Sequence, residues 1–323
     1  MNTEQFKQQL AQYAIEGKKF LFIVDFEQQN PFVCLLSEAA EKGIFYDIMG
    51  ETNGEPYAAE PTPIELKAYP IKKQTFLEKF DYVVTQQKAG NSYLLNLTVC
   101  TPIELNLSLK DIFYRSKAKY KLLFKDDFVV FSPECFVKIV DGNIYTYPMK
   151  GTINADIENA HNKLMNNHKE ESEHNTIVDL MRNDISMIAT ETVVSKYRYI
   201  DTIQTHKSRI LQTSSEITAH LPHDWRQHLG DIIWQLLPAG SISGAPKQKT
   251  VEIIRTAEGK PRGYYTGIFG IFDGNCLESA VMIRFIEQCK GKLFFRSGGG
   301  ITAQSSGDDE YQELIEKIYV PIV

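Results

Sequence analysis

The chain has no Cys-x-x-Cys pair, no membrane-length apolar run, no surplus of basic residues and no low-complexity tract. Each absence removes a class of function. The five cysteines, Cys34, Cys100, Cys135, Cys276 and Cys289, are odd in number and scattered. Neither a zinc site nor a disulfide framework follows from them; reduced thiols of a cytoplasmic protein do. His220, His223 and His228 cluster without a second ligand pair at metal spacing, and read as surface histidines. The apolar stretch Phe20 to Val24 is far too short to cross a bilayer. No targeting segment is visible: the start places Phe6, Leu10, Tyr13 and Ala14 on one helical face, as in a docking helix. A net charge of −6 argues against a nucleic-acid binder. An anionic substrate therefore needs local positive charge, from a metal ion or a few placed Lys and Arg.

What is present reads as an ordinary soluble chain of 323 residues, 43% hydrophobic and 24% charged, long enough for one large domain or two. KFLFIVDF reads as a buried strand and NPFVCLLS carries a second. Gly50 to Pro63 reads as a surface excursion rich in Gly, Pro and Glu. Thr75 to Lys88 has helical period, with Phe76, Phe80, Val83 and Val84 inward and Gly90 ending it. A soft boundary near Gln74 separates an N-terminal flanking portion (1–74) from a core (75–323). Within the core, FVKIV and IYTYP join across Asp141-Gly142-Asn143, and IFGIF and LESAVMIRFIE across Asp273-Gly274-Asn275. A third turn lies at Lys290-Gly291. Adjacent hairpins mean antiparallel sheet, which excludes a Rossmann-type parallel fold.

Several stretches carry chemistry. PAGSISGAPK, residues 238–247, combines flexible glycines with Ser241, Ser243 and Lys247 ahead of a helix, an arrangement suited to an anion. Ala245 and Pro246 stand between Gly244 and Lys247, and Gln248 follows, so this is not a phosphate loop; a carboxylate is the better anion. Glu170 with Glu173, and Glu310 with Glu313, sit three apart on helical segments, so each pair shares a face. Taken singly, such pairs are solvated helix charges. Two pairs bordering apolar runs suggest carboxylates gathered around a hard cation such as Mg²⁺, able to hold a substrate carboxylate. Gly298, Gly299 and Gly300 are expected to follow a strand and offer N–H groups to an anion. Arg284 stands among apolar residues in AVMIRFIE, as a carboxylate clamp or half of an internal salt bridge. Lys150, read as the end of the strand IYTYPM, is either a surface charge or a catalytic amine.

SPE (132–134), MKGT (149–152), EHNTIVDLMRND (173–184), GSISGAPK, YYTGIFG (264–270), AVMIR and SGGGITAQS followed by EYQELIEK occur here in one order. This set resembles the chorismate-utilising enzymes, over roughly Phe76 to Lys317. The resemblance implies an α+β fold, a complex single domain with two large antiparallel sheets packed orthogonally and helices outside. It implies that Glu173 and Glu313 hold Mg²⁺, with Glu170 and Glu310 supporting them through water, and that the metal holds the ring carboxylate of chorismate. Arg284, Tyr265 and the Gly298, Gly299, Gly300 backbone would bind the enolpyruvyl carboxylate side, with Ser243, Gly244 and Lys247 lining the same pocket. Glu134 would be the general acid for the departing hydroxyl.

Lys150 separates the members of this family. Anthranilate and isochorismate synthases usually carry alanine in its place; aminodeoxychorismate synthases carry lysine, in PIKGT, and this chain reads PMKGT. In that subfamily the lysine is a nucleophile and ammonia later displaces it. The implied reaction converts chorismate and ammonia to 4-amino-4-deoxychorismate, for 4-aminobenzoate and folate. Gln212 replaces a histidine associated with pyruvate release in anthranilate synthases. No Cys-centred glutaminase elbow is present, so ammonia would come from a separate glutamine amidotransferase subunit. The alternatives are an anthranilate or isochorismate synthase, and a catalytically silent chorismate-binding subunit.

Overall fold

The computed structural model describes residues 1–55, 57, 63–204 and 209–321; residues 56 and 58–62 of the expected surface excursion lie outside them. Two nine-stranded antiparallel sheets form its body. In the first the order is Met149–Asn154, Arg209–His220, Asn143–Thr146, Cys135–Val140, Leu277–Val281, Ile268–Phe272, Phe20–Val24 and Phe32–Leu35. Thr190–Gln204 lies along the other side of Arg209–His220. In the second the order is Gly244–Ala245, Leu94–Leu105, Lys292–Ile301, Phe285–Cys289, Phe128–Ser132, Tyr120–Phe124, Ile44–Ile48 and Glu51–Thr52, with Leu66–Ala68 on Leu94–Leu105. Both sheets run across the soft boundary near Gln74, because the first 74 residues supply strands to each.

Local sequence accounts for the elements. The helix Thr3–Ile15 opens with a capping box: Asn2 and Gln5 each accept the other's backbone N–H, at 2.9 and 3.1 Å. It buries Phe6, Leu10 and Ala14 completely, side chains that recur at helical spacing. The helix Lys73–Lys88 likewise turns Phe76, Phe80 and Val83 inward. At the hairpins, Asp141 and Gly142 both take positive φ (50° and 76°), the pairing a tight two-residue turn demands. Helices cover one face of the first sheet; its other face meets the second through Leu21, Ile23, Phe269 and Ile271 against Ile44, Leu122, Phe124 and Phe285. Burying each such side chain contributes roughly 1.5–3 kcal/mol.

Three expectations about strands need correction. LESAVMIRFIE is not one strand: Leu277–Val281 belongs to the first sheet and Phe285–Cys289 to the second. The chain crosses between them at Arg284, which adopts φ 55° and whose carbonyl accepts the Phe131 N–H at 3.1 Å. Lys150 does not end a strand; Pro148 breaks the run, and Lys150 is the second residue of Met149–Asn154. The three glycines do not follow a strand. They lie inside Lys292–Ile301, in register with Thr98, Leu97 and Asn96.

Candidate active site

The glycine stretch is where the two sheets and two helices meet. Phe285 pairs with Arg296 and Cys289 with Lys292, so the strand Lys292–Ile301 loses that neighbour beyond Arg296. From Ser297 onward its remaining partner is Leu94–Leu105, and one side of the strand is open. A Cβ placed on Gly300 would stand 3.0 Å from Lys150 Nζ. One placed on Gly299 would stand 3.2 Å from Glu310 Oε2, 3.6 Å from Lys317 Nζ and 3.9 Å from Glu313 Oε1. Missing side chains therefore make the room into which these charged groups reach.

Lys150 is fixed from below. It is opposite Thr213, whose hydroxyl donates to the Lys150 carbonyl. The next residue, Gly151, has φ 77°, and a Cβ there would meet Glu170 Oε2 at 3.0 Å. Glu170 and Glu173 both project half-buried from the helix His168–Ser186. Between them and the sheet lies His174, fully buried, with Nε2 2.7 Å from the Ser215 hydroxyl. Burial first, then the positive charges of Arg198 and Lys150, hold its pKa down at about 4, so the ring is neutral near pH 7.

Glu134 lies between the strands Phe128–Ser132 and Cys135–Val140, near enough to Lys150 to feel its charge. Its backbone N–H donates to the Ser132 hydroxyl and its carbonyl accepts from Val281, both at 3.1 Å. Burial raises its carboxyl pKa; a hydrogen bond from Ser241 and the charges of Lys150 and Arg284 oppose that rise. Arg284 lies over the Tyr319 ring at 5.6 Å, its Nε 3.4 Å from the Tyr319 hydroxyl. Tyr265 is buried, and desolvation pushes its phenol up to about 12 against the pull of Arg262 and Arg284. The structure thus brings together Glu134, Lys150, Arg284, Tyr265 and the glycine strand, with a carboxylate pair at either end.

Ser243, Gly244 and Lys247 have other occupations. The Ser243 hydroxyl donates to the Ala239 carbonyl at 2.9 Å. Gly244, at φ 124°, packs against the backbone of Leu94, where a Cβ would sit 1.9 Å from the carbonyl oxygen. Lys247 binds Asp184 at 2.8 Å and the Leu236 carbonyl at 3.0 Å. The serine that turns to Glu134 is Ser241.

Lys317 carries no role in the sequence reading, although its place one turn beyond Glu313 on a helix was a usable signal. Its ammonium lies 2.6 Å from Glu313 and 2.9 Å from the Gly298 carbonyl. Burial lowers its pKa, and Glu313 opposes that shift. Glu313 and the Gly298 carbonyl thus already hold a cation. Among the described residues no three Asp, Glu, His or Cys side chains stand close enough to share one ion. The donor chemistry still suits a hard metal, since both pairs offer carboxylate oxygens alone.

The sequence pattern of the chorismate binding enzyme family matches residues 5–322, and the chain belongs to that family. It is 53% identical over 319 residues to an uncharacterized PabA-like protein of Haemophilus influenzae, covering 99% of this chain and 97% of that one. It is 36% identical over 195 residues to aminodeoxychorismate synthase component 1 of Salmonella typhimurium, covering 58% of this chain and 42% of that one. The fold is similar to the crystal structure of a putative 2,3-dihydroxybenzoate-specific isochorismate synthase of Bacillus anthracis. That likeness has a TM-score of 0.72 at 18% identity, over 98% of this chain and 86% of the other. Among the described residues no helix is long and apolar enough to cross a membrane.

Proposed function

We propose that the chain replaces the ring hydroxyl of chorismate with an amino group, giving 4-amino-4-deoxychorismate for 4-aminobenzoate and folate synthesis in the cytoplasm. The observation that carries this reading is the position of Lys150: its amine reaches the open glycine strand at Gly300, and its charge acts on the buried Glu134 carboxyl. In the proposed course, the neutral Lys150 amine forms a C–N bond to the ring. The double bond shifts, and the C–O bond to the hydroxyl breaks. Glu134 supplies the proton with which that hydroxyl leaves as water. Ammonia then attacks the carbon that lost the hydroxyl, the double bond shifts back, and the bond to Lys150 breaks. The lysine leaves the protonated adduct as its neutral amine, and the incoming nitrogen gives a proton back to Glu134, so both groups return to their starting states. Two displacements with allylic shift restore the original ring pattern.

Burial raises the Glu134 pKa, which keeps a proton available for transfer. Arg284 and the open glycine N–H groups bind the carboxylate of the enolpyruvyl arm. Glu310 and Glu313, with Glu170 and Glu173 from the facing helix, are the residues that would hold Mg²⁺. When bound, the metal neutralises the ring carboxylate. Ammonia comes from a separate glutamine amidotransferase, or from ammonium in vitro. The test is to incubate the chain with chorismate, Mg²⁺ and ammonium and identify the product by mass and retention time. Aminodeoxychorismate, lost on chelation, supports the reading. Anthranilate or isochorismate would replace it with a sister reaction, and binding without turnover would leave a silent chorismate-binding subunit.

A further inference from the structure

Behind Ser241 lies a cavity of about 20 Å³. About 10–15 Å³ suffices for one water-sized molecule. Its walls are apolar over most of their extent, with Met181 and Ile185 from the helix His168–Ser186 on one side, and Leu236 and Ala239 on the other. Three polar side chains interrupt them, Thr146, Asp184 and Ser241, and the Thr146 hydroxyl is spent on the Phe136 carbonyl at 2.9 Å. Asp184 is already bound by Lys247 at 2.8 Å, so it offers no open anion to trap a cation. Ser241 forms the wall shared with the active site, because its hydroxyl bonds Glu134. The cavity also touches Phe136 and Thr146, each a few residues from a proposed catalytic group. It lies between the paired strands that carry Phe136 and Thr146 and the helix His168–Ser186.

The geometry points to this cavity as a binding site for one molecule of neutral ammonia, a waiting position directly behind the reacting groups. The inference rests on the amination proposed above. The cavity discriminates by size, admitting a molecule about as large as water. It also discriminates by charge: apolar walls penalise the ammonium ion far more than ammonia. Ammonium is the dominant form in neutral water and cannot attack, so a dry position that favours the free base selects the nucleophile. Ser241 offers a hydroxyl on the active-site side. An ammonia molecule there can lie against the hydroxyl that also orients Glu134.

Two fillers from opposite walls test this, Ala239→Val and Ile185→Phe, each checked for folding by its thermal melt. Neither residue has a part in the proposed catalytic machinery. Overpacking of this kind lowers stability only in part, so at least one variant is expected to fold. Three quantities are read: the ammonium concentration for half-maximal amination, the chorismate KM, and the rate of Lys150 adduct formation without ammonia. The expected result is a tenfold or greater rise in the ammonium requirement, with chorismate KM and adduct formation changed less than twofold. A folded variant with the native ammonium requirement would overturn the site while leaving the amination reading intact. If the unmodified chain does not aminate chorismate at all, the amination reading fails and this inference falls with it. Equal loss of adduct formation and amination would also overturn it, since the cavity would then merely support the fold.

Discussion

Replacing Gly298, Gly299 and Gly300 by alanine one at a time separates three tasks held by three adjacent residues. At Gly298 the new methyl would stand 2.6 Å from the Leu97 carbonyl oxygen and 2.9 Å from Thr98 Cα. Both are backbone atoms of the paired strand and cannot yield without disturbing the sheet, so a loss of about 2–3 kcal/mol is expected, as for overpacking elsewhere. At Gly300 the nearest atom is the tip of a flexible side chain, Lys150 Nζ at 3.0 Å, followed by Leu94 Cδ1 at 3.4 Å. That contact strains little, and alanine recovers about 0.5–1 kcal/mol of chain entropy, so stability should stay within about 1 kcal/mol of the native chain. The amine must nevertheless move. Misplacing a reacting group by about 1 Å can cost 10²-fold, so a fall in kcat of about 10- to 100-fold is expected. Gly299→Ala presses on Glu310 Oε2 at 3.2 Å and should raise the Mg²⁺ requirement several-fold. Urea unfolding and steady-state kinetics on the three variants settle the matter. A Gly300→Ala chain with native kcat, or a Gly298→Ala chain with native stability, would refute the reasoning.

Further outcomes follow from individual contacts. Because burial raises the Glu134 pKa, the fold binds its proton more tightly than the unfolded chain does. That contribution is complete below the ordinary carboxylate pKa and is lost as pH rises through the raised value. Glu134→Gln should flatten this part of the pH–stability curve in urea titrations and lower kcat by about 10²–10⁴-fold. Arg262 is fully buried, bonded to Glu258 at 2.7 Å and to the carbonyls of Asn96 and Ile242. Arg262→Leu leaves Glu258 buried without its partner and should cost about 3–5 kcal/mol in urea unfolding, with Glu258→Leu in the same chain recovering part of it. Lys317→Met removes the ammonium now resting on Glu313. Calorimetric titration should then show tighter Mg²⁺ binding; weaker binding would mean the lysine supports the metal instead of competing with it.

The turns were the most legible part of the fold, since Asp-Gly between alternating apolar runs leaves few alternatives, and all three hairpins form. The sheet change inside LESAVMIRFIE was hidden because a mostly apolar stretch of this length looks the same whether one sheet or two bury it. The left-handed turn sits on Arg284, not on a glycine or asparagine that would have marked it. Among the candidate site residues, local sequence drew attention to the glycine stretch and the helical carboxylate pairs. It could not show that Lys150 and Gly300, half the chain apart, approach each other, because that contact is set by how the two sheets meet. Nor could it distinguish Ser241 from Ser243: both flank Ile242, and the short helix Gly240–Ser243 turns one hydroxyl to Glu134 and the other back to Ala239.

The most direct test of the central claim is the mass of the intact protein after mixing with chorismate and Mg²⁺ in the absence of ammonia. A lysine nucleophile predicts a covalent species heavier by chorismate less one water, mapped to Lys150, absent from Lys150→Ala and discharged when ammonium is added. Aminodeoxychorismate formed at the native rate by Lys150→Ala, or an adduct of the same mass on that variant, would contradict it.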